Sequence, residues 1–391
     1  MTEPMGRFAS ELRRLRVDRG LSYRALAERA NQGKSYIEDL EKGRKPPNAA
    51  VAENLDRALD ARGQLAATLH ATVGDGSEAE IEALELARRV TASDVSAETL
   101  DRLELATDTM AMAYATTPPE QLLPSVRHHL DYVGTLIDAR KTLAQHQRLL
   151  VIGGWFSLLR ATLHIDLRQT AAASANLATA AELAEQTGHA EIAAWCWETR
   201  AWDVLTAGDY RRALELSQRA QAVAPAGGSA IVQATAQEGR AWARLGDQQE
   251  TRRVLDQVDR LAAARPRPEH PEHHYRYDPG KANAYAATTL SWAGDPAAEQ
   301  VARDVIEELL EDGARPRRVA SARLDLALAL LAGGRPDEAA AEAGTAIASG
   351  RIVPSNWWRA REVVNGVQQT RIAEARDLNE IAAAHTPAIS A

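Results

Sequence analysis

Three histidines set close together, His270, His273 and His274, are the first residues here whose type could do chemistry, because imidazole ligates metals and exchanges protons near neutral pH. They lie in RPRPEHPEHHYRYDPGK, residues 265–281. No cysteine stands beside them, and although His270 and His274 are four apart, no helix is expected there to put the two rings on one face. Pro266, Pro268 and Pro271 keep the segment extended. No metal is expected, and Tyr275 and Tyr277 read as packing anchors of a loop that rims a groove or an interface. The single cysteine, Cys196, sits between Trp195 and Trp197 and has no partner for an internal disulfide. It reads as a small buried apolar residue and fits a reducing cytosol. Walker loop, G-x-G-x-x-G after a strand, G-x-S-x-G elbow and H-E-x-x-H are all missing, and carboxylate runs such as EELLED at 307–312 read as solvated helix faces. The expected chemistry is therefore binding: no enzyme, no cofactor.

What the chain binds is first suggested by where its charge lies. The net charge of −8 would disfavour nucleic acid if it were evenly spread. Residues 1–70, however, hold 13 Lys and Arg against 10 Asp and Glu, and the rest of the chain holds 33 against 44. A basic head precedes an acidic body. Only five lysines occur, at 34, 42, 45, 141 and 281, and three of them fall in the head.

The elements that must position these residues are helices. Ala dominates the composition and Phe occurs only twice, a balance that suits close helix packing better than sheets. In RFASELRRLRVDR, residues 7–19, Phe8, Leu12, Leu15 and Val17 share one side of a helix, with Arg13, Arg14 and Arg16 on a solvated face. Gly20 ends it. Ser22 is a good N-cap for YRALAERA, whose Leu26 and Ala27 face inward. After the turn Asn31-Gln32-Gly33 a third helix, KSYIEDLEKG, spaces Ile37 and Leu40 on one face and stops at Gly43. Pro46 and Pro47 precede a fourth helix, AAVAENLDRAL.

Leu21-Ser22-Tyr23-Arg24-x-Leu26-Ala27, then Ser35-Tyr36-Ile37-x-x-Leu40-Glu41-x-Gly43-Arg44, then Pro47, resembles the phage-repressor and Cro type of helix-turn-helix, the xenobiotic-response-element family of regulators. The resemblance covers residues 7–70. Such a module lays its second helix in the major groove of DNA, with base contacts from that helix's N-terminal residues. It thus implies that Gly33, Lys34, Ser35 and Asp39 face the groove. Lys34 can donate to guanine O6 or N7, Ser35 can serve either partner, and Asp39 can accept from cytosine N4. Tyr23, Arg24, Lys42, Arg44 and Lys45 are implied as phosphate contacts, which fix register without reading sequence.

Residues 71–80, ATVGDGSEAE, are Gly-rich and acidic and read as a linker. From 81 to 391 every segment reads helical, with a break at Pro118, Pro119 and Pro124, and no stretch approaches the roughly 20 uninterrupted apolar residues of a membrane span. The opening segment has no apolar core after its charges, so no export signal is expected. Gly208-Asp209, Gly246-Asp247, Gly294-Asp295 and the related Gly334-Arg335 each stand between two helix-length amphipathic runs, at spacings of 38, 48 and 40 residues. These units resemble tetratricopeptide repeats, in which a turn joins helix A to helix B and small residues such as Gly239 or Ala201 sit where the helices cross. The insertion at 265–281 accounts for the longest spacing.

The resemblance implies roughly five to seven helix pairs and a concave groove lined by the A helices. Projected onto this sequence, it nominates Trp155 and Thr162; Trp195, Glu198 and Trp202; Gln233, Arg240 and Arg244; and Lys281, Thr288 and Trp292 as groove residues. Aromatics, amides and cations together would suit an extended peptide. The whole chain is thus expected to be all-α, a repressor-type helix-turn-helix bundle followed by a tetratricopeptide-like solenoid. This build is similar to the peptide-sensing quorum regulators of Gram-positive bacteria and to actinobacterial regulators with the same order of domains.

Two functions of different class follow. In one, a DNA-binding regulator forms a homodimer and answers a peptide, a small molecule or an antagonist protein held by its body. In the other, the chain is a protein-interaction scaffold whose head reads no DNA, and then Lys34, Ser35, Arg44 and Lys45 have no purpose. Pairing through IVPSNWWRAREVV, 352–364, with adjacent Trp357 and Trp358, is the expected dimer contact.

Overall fold

The computed structural model describes residues 3–70, 74–266, 272–277, 279–312 and 315–387. Among the described residues every regular element is helical, and the chain divides into two compact units, residues 1–92 and 93–391.

The first unit holds α1 (Glu3–Asp18), α2 (Tyr23–Arg29), α3 (Lys34–Glu41), α4 (Ala49–Leu59), α5 (Gln64–His70) and α6 (Gly74–Thr91). Phe8, Leu12, Leu15, Leu26, Ala27, Ile37, Leu40, Val51, Leu55, Leu59 and Leu65 bury together as one core. Val17, expected on the inner face of α1, is exposed instead, because at 100° per residue it falls on the opposite side of the helix from Phe8, Leu12 and Leu15. The caps are local and strong. Ser22 Oγ accepts from the Ala25 amide at 3.1 Å, and Asn48 Oδ1 accepts from Val51 at 2.9 Å, each satisfying an amide that the helix itself leaves open. Asp56 is buried because both its oxygens accept amides at the start of α5, from Leu65 and Ala66, at 2.9 Å. Of the expected linker, residues 71–73 lie outside the described residues and 74–80 fall within α6.

The second unit stacks consecutive antiparallel helix pairs: α7 (Ala97–Ala113) with α8 (Pro119–Asp138), α9 (Leu143–Asp166) with α10 (Thr170–Thr187), α11 (Ala190–Thr206) with α12 (Tyr210–Val223), and α13 (Ser229–Leu245) with α14 (Gln248–Ala263). The stack continues through α15 (Pro279–Ala293) with α16 (Ala298–Asp312), α17 (Pro316–Ala332) with α18 (Pro336–Ala348), and, after a 3-10 turn at Pro354–Asn356, α19 (Trp357–Thr370) with α20 (Glu374–His385).

The Gly-Asp dipeptides now have a physical reason. Gly208 and Gly246 end their helices at φ of 91° and 81°, a left-handed turn that side chains disfavour. Asp209 and Asp247 then cap the next helix, accepting from Arg212 at 3.1 Å and Glu250 at 3.0 Å. Gly239 marks a helix crossing, where an added Cβ would come within 3.3 Å of Val254 Cγ1. The expected break near Pro118 is the turn between α7 and α8, and Pro124 sits inside α8 near its start. One described helix, α9, is long and apolar enough to cross a membrane by length and composition, but 78% of its apolar window is buried inside the protein, as in a core helix.

Candidate functional site

In the head, α3 is held by a buried network that the sequence reading left as solvated charge. Arg16 of α1 forks onto Glu41 of α3, Nε to Oε2 at 2.7 Å and Nη2 to Oε1 at 2.6 Å, and Tyr23 of α2 donates its hydroxyl to Glu41 at 3.0 Å. The Arg16 guanidinium also lies 4.2 Å from the centre of the Tyr23 ring. A single carboxylate, 2% exposed, thus ties three helices together. Tyr23, implied as a phosphate contact, spends its hydroxyl on this lock.

The remaining implied residues of the head stand outside the network. Lys34 and Ser35 are exposed at the start of α3, with Gly33 as its N-cap. Asp39 is half-buried, 3.6 Å from Arg44 and 3.8 Å from Lys45. Lys42 pairs with Glu38, and Arg24 lies 3.3 Å from Glu28. Arg24, Lys42, Arg44 and Lys45 are all exposed. Each of these cations is itself exposed, so its pairing is weak and can exchange to a phosphate.

In the body, the A helices α9, α11, α13, α15, α17 and α19 converge on a cavity of about 220 Å³. Of the nominated groove residues, Thr162, Glu198, Trp202, Gln233, Arg240, Lys281 and Thr288 line it; Trp155, Trp195, Arg244 and Trp292 do not. The reasons are specific. Tyr275 inserts against Trp155 and Trp195, at ring separations of 5.0 and 5.2 Å, and takes the space both indoles would have offered. Arg244 forks onto Glu362 with both bonds at 2.7 Å and lies 4.4 Å from the centre of the Trp292 ring. Trp292 in turn packs on Trp358 at 5.4 Å, and Trp357 is buried, so the tryptophan pair expected at a dimer contact is used inside the chain.

Residues 272–277 run as a strap across the concave side. Lys281 Nζ donates to the carbonyls of His273 at 2.7 Å, His274 at 3.3 Å and Arg276. Glu272 lies 2.6 Å from Arg315, and His273 Nε2 lies 3.0 Å from Asp108. The His274 amide donates to Ala111 O at 3.1 Å. Burial pushes His273 down to about 4 and His274 well below the ordinary imidazole range, which keeps both rings neutral. Tyr275 and Tyr277 are each 4% exposed. Among the described residues no group of three His, Cys, Asp or Glu is arranged to hold a metal, and His270 lies outside them.

Residues far apart in sequence close the cavity. Asp166 accepts from Tyr114 at 2.8 Å, Arg317 at 2.6 Å and Ser355 at 3.0 Å, joining α9, α17 and the turn before α19. Asp325 accepts from Thr288 at 2.6 Å and pairs with Arg359. Gln233 donates to Glu198 at 2.9 Å and to the Tyr285 hydroxyl at 2.7 Å. Burial lifts the Glu198 carboxyl to about 7, against the pull of Gln233 and Arg240. Asp166, Arg317, Asp325 and Arg359 carry no local sequence signal: each is one half of a long-range pair.

A helical head with an exposed polar recognition helix, followed by stacked helix pairs around a polar cavity, defines a two-part binding protein. Residues 7–69 match a protein family described as a helix-turn-helix domain. The match covers the head alone. None of the curated proteins matches the chain. The protein is thus an all-helical chain with a helix-turn-helix domain at its N-terminus, the fold of a DNA-binding regulator.

Proposed function

We propose that this protein is a sequence-specific transcription regulator that binds double-stranded DNA through α3 as a homodimer and answers an effector held in its body. One observation carries the reading: Lys34 and Ser35 stand exposed at the start of a recognition helix whose other face is locked by the Arg16–Glu41–Tyr23 network, with Arg44 and Lys45 exposed just beyond it. A scaffold gains nothing from holding that face so firmly and leaving its cations in solvent. Lys34, Ser35 and Asp39 would meet base edges, and Arg24, Lys42, Arg44 and Lys45 would meet phosphates. Gly33, which has no atom within 4 Å of an added Cβ, leaves the helix N-terminus open to DNA.

A single head of this kind reads half a site, so a second copy must be recruited. Helix α6 supports that role, since Ile81 and Leu84 on one side and Leu86 and Val90 on the other are each more than 60% exposed, apolar surface that pairing of two α6 helices would cover in part. The effector reading rests on the cavity in the body, whose size and polar lining fit a ligand.

The test is a gel shift of full-length protein on the DNA upstream of its own gene, at several salt concentrations. Retardation that weakens steeply with salt is expected, because phosphate contacts release counterions. A chain with no affinity at low salt, alone or with cell extract, contradicts the regulator reading and leaves the scaffold. Light scattering checks the dimer: the double variant Leu84→Glu/Leu86→Glu should be monomeric where the parent is dimeric.

A further inference from the structure

We propose that the cavity of the body binds a compact organic oxyanion, a carboxylate or phosphate monoester on a flat apolar frame, with the Arg240 guanidinium as its counter-ion. The inference rests on the reading of the body as an effector domain and names the class of effector.

The charges that line the cavity pair off almost completely. Arg317 is answered by Asp166, Arg359 by Asp325, and Arg315 and Arg318 by Glu272 at 2.6 and 3.4 Å. Lys281 is held on the carbonyls of the strap. Arg240 is the exception. It is 7% exposed, and its one hydrogen bond among the described residues goes to a neutral group, from Nη1 to Gln237 Oε1 at 3.1 Å. Its Nε is buried without a hydrogen-bond partner. Its flat face lies 3.8 Å from the centre of the Tyr285 ring.

Two carboxylates attract it from nearby: Asp325, which is already paired with Arg359 and bonded by Thr288, and Glu198, which is engaged with Gln233 and pushed by burial toward its neutral form. A guanidinium taken out of water without a counter-charge is expensive to hold. An anion from outside removes that penalty on binding, and a guanidinium stacked on one face, with no hydrogen bond from its Nη2 among the described residues, can donate a charge-assisted bond to an oxyanion. The protein as a whole is acidic, so this local positive excess is not a by-product of composition.

Size and shape narrow the ligand further. The cavity holds about 220 Å³. The strap, with Tyr275 seated against Trp155 and Trp195, fills the part of the concave face where an extended peptide would otherwise lie. What remains is a chamber in which Trp202, Ala284, Tyr285 and Ala322 offer apolar surface, Arg240 lies against Tyr285, and the other lining charges are held in the contacts above. A flat ring or short chain bearing one anionic head fits that division.

The test is calorimetric titration of the full-length protein with phenylacetate, with phenyl phosphate and with the uncharged isostere phenylacetamide. Saturable binding of at least one anion at one site per chain is expected, with the amide weaker by roughly tenfold or more. Whichever anion binds more tightly identifies the head group. Arg240→Gln should abolish the preference for anion over amide, and Arg240→Lys should restore part of it. The comparison of anion with amide on the parent protein needs no variant, so a misfolded Arg240→Gln leaves the proposal exposed to refutation. Amide binding as tight as the anions, no binding of either anion, or an unchanged preference in a folded Arg240→Gln each overturn it. A chain that binds the anion and shifts no DNA removes the regulator reading alone, whereas one that shifts DNA and binds neither anion removes this inference alone.

Discussion

The head and the body use arginine in opposite ways. In the head one arginine, Arg16, is half-buried on Glu41 to lock the fold, and Arg24 of α2, with Lys42, Arg44 and Lys45 beyond α3, stays in solvent. In the body, arginines 240, 317 and 359 point inward around a cavity and are answered there by carboxylates, except for Arg240. Exposed cations make a surface that takes a polyanion from outside; buried ones make a chamber that selects a small ligand. The two parts also differ in net charge, a basic head on an acidic body.

The sharpest way to break the comparison is to remove Arg16, the half-buried arginine that meets the buried Glu41. Arg16→Ala strands Glu41 in the core, and losing one partner of such a pair destabilises by about 3–5 kcal/mol, enough to unfold a unit this small. Chemical denaturation of the full chain should show a separate early transition for the head, with the body unchanged. Arg24→Ala, which removes an exposed pair with Glu28, should stay within about 0.5 kcal/mol of the parent.

In the body the corresponding probe is Glu198→Gln. Its carboxyl sits near 7 when folded and near 4.5 when unfolded, so between those values the unfolded state has released its proton while the folded state still holds it. Stability from this group is thus lost as pH rises through that window. The variant should match the parent below pH 4.5 and exceed it increasingly up to pH 7, reaching on the order of 3 kcal/mol above that. Thermal melts at several pH values check this; equal melting points at pH 8 would contradict the burial argument.

Smaller effects separate the two kinds of exposed cation. Lys34→Ala should lose about 1–3 kcal/mol of discrimination at one base pair, while Arg44→Ala should weaken all sequences alike and reduce the salt dependence. Competition binding with single-base operator variants distinguishes them. Asp209→Ala removes a helix cap of the body and should destabilise by about 1 kcal/mol, without any change in DNA affinity.

How much of this was legible beforehand depended on how local the cause was. Ser22, Gly43 and the Gly-Asp turns act within four residues of themselves, so their roles could be read directly. The A-helix positions Thr162, Glu198, Gln233, Arg240 and Thr288 follow from helical periodicity once the repeats are recognised. Trp155 and Trp195 could not be separated from them, because what removes them from the cavity is Tyr275, brought in by an insertion more than 70 residues away in sequence. Arg244 and Trp292 are taken by Glu362 and Trp358 of α19 for the same reason. Arg16 looked like any solvated helix arginine, since the carboxylate that buries it, Glu41, belongs to another helix. Long-range charge pairs leave no periodic trace in a single sequence.

The central claim is that α3 reads DNA sequence from a dimer. Selection of full-length protein on a random duplex library, followed by sequencing, tests it most directly. Enrichment of a two-fold symmetric motif is expected, with half-sites one helical turn, about 34 Å, apart and preference at a defined pair of positions lost in Ser35→Ala or Lys34→Ala and kept in Arg44→Ala. A library that returns no motif, or a motif unchanged by Lys34→Ala and Ser35→Ala together, would contradict it.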